Sequence, residues 1–397
     1  MSQLRRERAL ETRAVHPPRP PAQEGEPVAP VLDPSTTYAF SDTEAFATAS
    51  EDKTGSGYVY ARWANPTVDA FEAAVADLEG AEEAQAFSSG MAAISNVLLG
   101  LCRSGDRIVA ARQLYGGTYA LFDHVLPRYG ITATLADVSD LSVIRDSCTG
   151  AKLLYCETIG NPIVEVADLP ALAEVAADAS IPLVVDNTFA SPMLCRPLEY
   201  GASLVLHSAT KFLGGHYDLT GGVVCGSSEL LEPIQELAME LGPTMSPFTA
   251  WLAMRGMATM ALRVERCSAN ALAVAGFLAG HDEVEAVNYP GLADDRSHQL
   301  AQTMLGGRGG GVLGFSLTGG RKRATRFQDE LRLIKPAASL GGTQSVIVHA
   351  ASVTHTQLSA EELVAASISE GFCRLSVGVE DPDDLIADLQ AAIDASS

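Results

Sequence analysis

Residues 151–189 read AKLLYCETIGNPIVEVADLPALAEVAADASIPLVVDNTF. AKLLYCET is an apolar run of strand length, LPALAEVAADAS (169–180) carries apolar residues at helical spacing, and IPLVVDNTF is strand-like again. The same alternation extends to both sides. PTVDAFEAAVADLEGAE (66–82) predicts a helix, EAQAFSSG (83–90) a short strand entering a turn, MAAISNVLLGLCRSG (91–105) a helix and DRIVAA (106–111) a strand. Further on, ASLVLHSAT (202–210) predicts a strand, with TGGVVCG (220–226) after it. Strands separated by helices imply an α/β fold with a mostly parallel sheet covered by helices on both faces. Ligands of such sheets sit at the carboxyl ends of the strands.

Outside this core the texture changes. Residues 230–280 read as helical throughout. Beyond 281, VEAVNYP, GVLGFSLTGG and FCRLSVGVE are short strands with helices between them, which implies a smaller α+β domain. The first 36 residues are polar and Pro-rich, with HPPRPPAQEGEPVAP at 16–30, and read as an extended arm. The expected division is an N-terminal arm contacting a neighbouring subunit (1–62), a large domain (63–255) and a small C-terminal domain (256–397).

Composition narrows the function. The chain has 397 residues, 47% hydrophobic and 19% charged, with a net charge of −22. That charge opposes nucleic-acid backbones and anionic membranes, which both need a basic face. The seven cysteines (102, 148, 156, 195, 225, 267 and 373) are odd in number and form no C-x-x-C, so reduced thiols in a cytoplasm are expected. The longest apolar stretch, ALAVAGFLAG at 271–280, is too short to span a bilayer. The first residues lack the apolar centre of a signal peptide.

Four strand ends carry polar groups where a ligand would lie. SSGMAA (88–93) is a strand-to-helix turn whose Gly90 and Met91 N–H groups sit at a helix N-terminus, next to Ser89. Such free donors favour a phosphate. Asp186 ends the apolar run LVVD, where a carboxylate is costly unless a cation or donor meets it. In LVLHSATKFLGGH (204–216), Ser208 and Thr210 alternate on an extended segment and Lys211 follows. A buried lysine loses its proton readily and can then form a Schiff base. Tyr115, in LYGGTYALF, can stack on a flat ring or move a proton. Alone, each has a plain structural reading: a glycine turn, an N-cap, a surface lysine, a packing tyrosine. Together they provide a phosphate seat, an anion for a ring nitrogen, an amine for a carbonyl and an aromatic lid, which suits pyridoxal 5′-phosphate.

The stretches VVDNTFASP, HSATKFLGGH, SSGMAAI, YARWANPT and SLGGTQS resemble the motifs of the Cys/Met-metabolism (trans-sulfuration) family of pyridoxal phosphate enzymes. The resemblance runs from about residue 30 to the C-terminus. It implies the aspartate aminotransferase-like fold, pyridoxal phosphate fold type I. It also implies that Lys211 carries the cofactor, Asp186 pairs with its ring nitrogen, Gly90, Met91, Ser208 and Thr210 hold its phosphate, and Ser89 is a further cofactor-binding residue. Tyr115 resembles the stacking tyrosine that serves as acid or base. Tyr60 and Arg62 resemble a pair reaching the neighbouring subunit's phosphate, in a homotetramer of two dimers. Asn161 resembles a residue near the ring and the substrate carboxylate. Arg374 resembles the arginine that clamps that carboxylate, with Ser339 assisting. Without the family, Arg374 reads as a strand arginine paired with an acid such as Glu380.

Within the family, SISEGFCRLSVGVEDPDDLIADLQAAIDAS (367–396) is most similar to methionine γ-lyase. LYGGTYALF and HVLPRYGI are as similar to the sulfhydrylases, and Gly117 stands where methionine γ-lyases commonly carry cysteine. Gln344 stands where cystathionine enzymes often have glutamate. The expectation is elimination of L-methionine to methanethiol, ammonia and 2-oxobutanoate. O-acetylhomoserine sulfhydrylase and the cystathionine γ-enzymes are alternatives, and a non-catalytic scaffold of this fold is a remote one. His207, His216, His349 and His355 show no metal spacing, and GGRGGGVLGF (306–315) reads as a turn before a strand.

Overall fold

The computed structural model of the chain describes residues 8–19, 24–51, 57–353, 363 and 368–396. Seven strands form the larger sheet: β1 (Glu83–Phe87), β2 (Arg107–Ala111), β3 (Thr132–Ala136), β4 (Leu153–Glu157), β5 (Leu183–Asp186), β6 (Leu204–Ser208) and β7 (Gly222–Gly226). Their order is β1-β7-β6-β5-β4-β2-β3. From β6 to β3 every pair is parallel, and β7 runs antiparallel to both its neighbours. The mostly parallel α/β sheet expected from the alternating pattern is therefore present. The central strands LLYCE and LVVD are buried along their whole length. That explains why they read as continuous apolar runs rather than alternating ones. The sequence reasoning passed over β3, TATLA, which lies at the sheet edge and is mostly half-buried. An edge strand needs fewer large apolar residues, so its pattern is weak.

Five further strands, β8 (Val284–Asn288), β9 (Val312–Leu317), β10 (Lys335–Pro336), β11 (Val346–His349) and β12 (Phe372–Ser376), form a second sheet in the order β10-β11-β12-β9-β8. It is antiparallel except for the β10–β11 pair. The helical run between the sheets consists of Ser228–Leu241, Pro247–Met257 and Met260–Ala279. The last helix serves two cores. Met260 and Val264 pack with the larger sheet, while Ala271, Val274, Ala275 and Leu278 pack with the smaller one. The change of core thus falls inside this helix. Among the described residues, no helix is long and apolar enough to cross a membrane.

The N-terminal segment departs from the extended reading. Leu10–Val15 is a short helix, and its buried Arg13 donates from Nε to Oδ2 of Asp77 at 3.1 Å. Asp77 lies on the helix Pro66–Glu79 of the same chain. Leu, Glu, Arg and Ala favour the helix, and Pro17 ends it. The next segment is tied down at Asn65, which caps the helix Pro66–Glu79 by accepting from the N–H groups of Thr67 and Val68. Asn65 Nδ2 also donates to the Asp33 carbonyl at 3.1 Å and the Tyr38 hydroxyl at 3.2 Å. A cap is worth about 1 kcal/mol, and each buried group left unpaired costs about 1–3 kcal/mol more. Asn65→Ala is therefore expected to lower stability by roughly 2–4 kcal/mol in urea unfolding of the cofactor-free protein. Unchanged stability would show that this junction does not tie residues 31–38 to the domain.

Candidate active site

The carboxyl ends of β1, β4, β5 and β6 open onto one cavity of about 350 Å³. Its opposite wall comes from the second half of the chain, through Ala338, Ser339, Leu340 and Arg374.

At the β1 end, the helix Gly90–Leu101 begins within two residues of the strand. Ser89 caps it, its Oγ accepting from the Ala92 N–H at 3.1 Å. The first-turn N–H groups of Gly90 and Met91 have no intrahelical acceptor. A Cβ at Gly90 would lie 2.7 Å from Ser208 Cβ and 2.9 Å from its Oγ. Glycine therefore lets the helix end and Ser208 share one small concave seat. Thr210 also lines the cavity, but not as the sequence implied. β6 ends at Ser208, and Ala209 and Thr210 form a turn, so the two hydroxyls do not alternate along a strand. The Thr210 hydroxyl is held by Gly221, accepting from its N–H at 3.0 Å and donating to its carbonyl at 3.3 Å.

Lys211 projects into the cavity, and its Nζ donates to Ser339 Oγ at 2.6 Å. Burial lowers its pKa to about 8, and the Arg374 charge adds to the effect. The loop behind Lys211 is fixed by Arg263, which donates to the carbonyls of Phe212 at 2.9 Å and Gly256 at 2.7 Å. Gly215, at φ +73°, lies against that guanidinium, where any Cβ would collide. Ser339 adopts φ +85°, a left-handed conformation that costs a non-glycine residue about 1–3 kcal/mol. Its carbonyl accepts from Arg374 at 3.1 Å.

Asp186 and Glu157 are paired positions on β5 and β4, and both line the cavity. Asp186 Oδ1 accepts from the Thr188 N–H at 2.9 Å, which also realises the turn-capping alternative. Burial raises the Asp186 pKa, opposed by the Thr188 bonds and by the nearby His207. Glu157 accepts from the Tyr115 N–H at 2.7 Å and the Asn161 N–H at 3.1 Å. Burial first, then the Asp186 charge, push its carboxyl well above the usual range. Sequence reasoning missed Glu157, although a charged residue ending LLYCE carries the same signal as Asp186 ending LVVD. It also read His207 as unremarkable. That residue is fully buried, 2.6 Å from Glu79, which in turn accepts from Asn187, the neighbour of Asp186.

Arg374, on β12, is 3% exposed and donates to Asn161 Oδ1 at 2.9 Å. Burial lowers its pKa to about 10. The alternative pairing with Glu380 does not form, because Glu380 accepts from the N–H and hydroxyl of Ser345 at 2.6 and 3.0 Å. Among the described residues no carboxylate pairs with Arg374, and its Nε finds no acceptor. A buried guanidinium with spare donors is a carboxylate receptor. Tyr115 precedes the short helix Gly116–Ala120 and offers a half-exposed ring to the cavity. Tyr60 and Arg62 are not brought in. Arg62 donates to the Met239 carbonyl and lies 5.7 Å from the centre of the Tyr60 ring, away from this cavity.

Comparison with known proteins agrees with this chemistry. The model of the Cys/Met metabolism PLP-dependent enzymes matches residues 11–394. The L-methionine gamma-lyase of Pseudomonas putida is 41% identical over 97% of each chain. The O-succinylhomoserine sulfhydrylase of Pseudomonas aeruginosa is 39% identical over 97% of this chain and 94% of that one. An O-acetylhomoserine (thiol)-lyase structure from Campylobacter jejuni, containing N′-pyridoxyl-lysine-5′-monophosphate, superposes with a TM-score of 0.92 at 31% identity, covering 97% of this chain and 99% of that one. A chain matched along nearly its whole length, with an amine, two carboxylates and a helix N-terminus around one cavity, belongs to the Cys/Met metabolism family of pyridoxal phosphate-dependent enzymes, with pyridoxal phosphate as its cofactor.

Proposed function

We propose that the protein is a methionine γ-lyase, converting L-methionine and water to methanethiol, ammonia and 2-oxobutanoate. The observation that carries this reading is the charge distribution of the cavity. Its acids among the described residues are Glu157 and Asp186, both at the strand ends. Much of the remaining lining is apolar: Met91, Ile94, Ile159, Phe189 and Leu340. Such a wall suits an uncharged γ-substituent such as methylthio. Among the described residues it offers no further acid for the distal ammonium of cystathionine.

The residues present fit the cofactor. The concave seat at Ser89, Gly90, Met91, Ser208 and Thr210 suits its phosphate, Asp186 its ring nitrogen, Tyr115 and Asn161 its ring, and the Lys211 amine its aldehyde. When bound, pyridoxal phosphate supplies the electron sink that makes the substrate α-proton acidic. The Arg374 fork holds the α-carboxylate, assisted by Ser339. Lys211 Nζ would take the proton from Cα and, once it has given that proton up and is neutral again, one from Cβ. The Tyr115 hydroxyl gives a proton to the departing γ-sulfur. In this reading Tyr60 and Arg62 serve the cofactor phosphate of a neighbouring subunit, within a cytoplasmic homotetramer.

A second reading, O-acetylhomoserine sulfhydrylase, draws on Gly117. A Cβ there would stand 2.5 Å from Tyr115 Cε1 and 3.2 Å from Met91 Sδ. The tyrosine therefore occupies space that a cysteine at this position would contest. O-acetylhomoserine also has an uncharged tail. Incubation with L-methionine alone separates the two readings. Rapid release of 2-oxobutanoate and thiol by wild type, absent in Lys211→Ala, is expected. Inertness to methionine combined with consumption of O-acetylhomoserine and sulfide would replace the lyase with the sulfhydrylase.

Two further outcomes follow from the charges. Arg374→Ala removes a charge-assisted clamp worth about 2–3 kcal/mol, so kcat/KM should fall roughly 30- to 150-fold. A change under threefold would place the carboxylate elsewhere. Burial disfavours the Lys211 ammonium, so the neutral amine becomes half-populated near pH 8. In cofactor-free protein, acetic anhydride labelling of Lys211, read by peptide mass spectrometry, should rise with pH and reach half its plateau near pH 8. A midpoint near 10.5 would contradict the burial.

A further inference from the structure

Six groups around the cavity form one hydrogen-bonded arc. The Tyr115 N–H donates to Glu157 Oε1 at 2.7 Å, and the Asn161 N–H donates to Glu157 Oε2 at 3.1 Å. Asn161 Oδ1 accepts from Arg374 at 2.9 Å, Arg374 donates to the Ser339 carbonyl at 3.1 Å, and Ser339 Oγ accepts from Lys211 at 2.6 Å. The arc runs from the aromatic lid, across both sheets, to the amine. Glu157 is the member that joins two loops by their main chains: the one after β2, which carries Tyr115, and the one after β4, which carries Asn161.

This use of a carboxylate is costly. Glu157 is 6% exposed and sits beside a second buried carboxylate, Asp186. Neither oxygen makes an ion pair among the described residues. A strand end that needed only packing would be apolar. What the carboxylate provides is two acceptors, fixed about one side chain, for two N–H groups on separate loops. An amide offers only one acceptor there, and aspartate is one carbon shorter.

We propose that Glu157 is a positioning residue for substrate capture: by tying the main chains of Tyr115 and Asn161 to one carboxylate, it sets the distance between the aromatic lid and the Arg374 carboxylate clamp. Glu157 itself needs no contact with the substrate. It acts through Tyr115, and through Asn161 on Arg374. The inference rests on the reading that the cavity binds an α-amino acid, but not on which γ-substituent that amino acid carries.

The test compares wild type, Glu157→Gln and Glu157→Asp, each loaded with pyridoxal phosphate. Glycine is the probe, because it has the α-amine and α-carboxylate and no side chain. Its apparent Kd is read from the change in cofactor absorbance. Both variants are expected to weaken glycine binding tenfold or more and by a larger factor than they weaken pyridoxal phosphate binding, with Tm within about 3 °C of wild type. In the same proteins without cofactor, deuterium exchange at the Tyr115 and Asn161 amides should accelerate at least tenfold over wild type. Wild-type glycine binding in either variant would overturn the proposal. If only Glu157→Gln were impaired, charge rather than placement would be the cause. Parallel loss of Tm and cofactor affinity in both variants would assign Glu157 to stability alone. Failure of wild type to turn over methionine while still binding glycine would sink the lyase reading and leave this one standing.

Discussion

An unpaired guanidinium buried opposite two unpaired carboxylates is the constraint on which this molecule is arranged. Arg374 has no acidic partner among the described residues, and Asp186 and Glu157 have no basic one. Burying any of these charges alone costs several kcal/mol, and direct pairing would relieve that cost. The fold keeps them apart. The carboxylates end adjacent parallel strands of one sheet, and the guanidinium rises from the centre of the other. The gap between them is the cavity. The cost of burying these groups unpaired is therefore carried at the two walls of one cavity.

The parallel sheet makes this separation possible. Because β6, β5 and β4 run the same way, their polar ends emerge on one rim, and the apolar residues before them are buried. The antiparallel second sheet can turn one of its central strands toward that rim without extending the first core. Main-chain groups hold three of these side chains, with Thr188 on Asp186, Gly221 on Thr210 and the Ser339 carbonyl on Arg374, while the Ser339 hydroxyl accepts from Lys211.

How much of this was legible depended on whether a signal was local. Asp186 stood out because a carboxylate ending LVVD contradicts its own strand. Lys211 stood out between hydroxyls and glycines, and the turn at Gly90 carried a helix start on its face. The large-sheet strands read clearly where burial on both sides made them uniformly apolar, and the edge strand β3 did not. Arg374 had no local signal. Its partners, Asn161 and Ser339, are distant in sequence, and only packing between sheets shows that Glu380 is committed to Ser345. Thr210 was placed correctly at the cavity for a mistaken reason, since a turn rather than strand alternation aims it there. Glu157 ends LLYCE as Asp186 ends LVVD, so its signal was equally local, and only its bonds to two separate loops needed the structure.

The helix Met260–Ala279 is shared by the two cores, and its Arg263 also grips the loop that carries Lys211. One end of this rod is therefore bolted to the amine side of the cavity, and the other end is built into the sheet that bears Arg374. A single continuous helix thus ties the amine side of the cavity to the sheet that bears Arg374, so a substitution that loosens it in either core is felt at both walls.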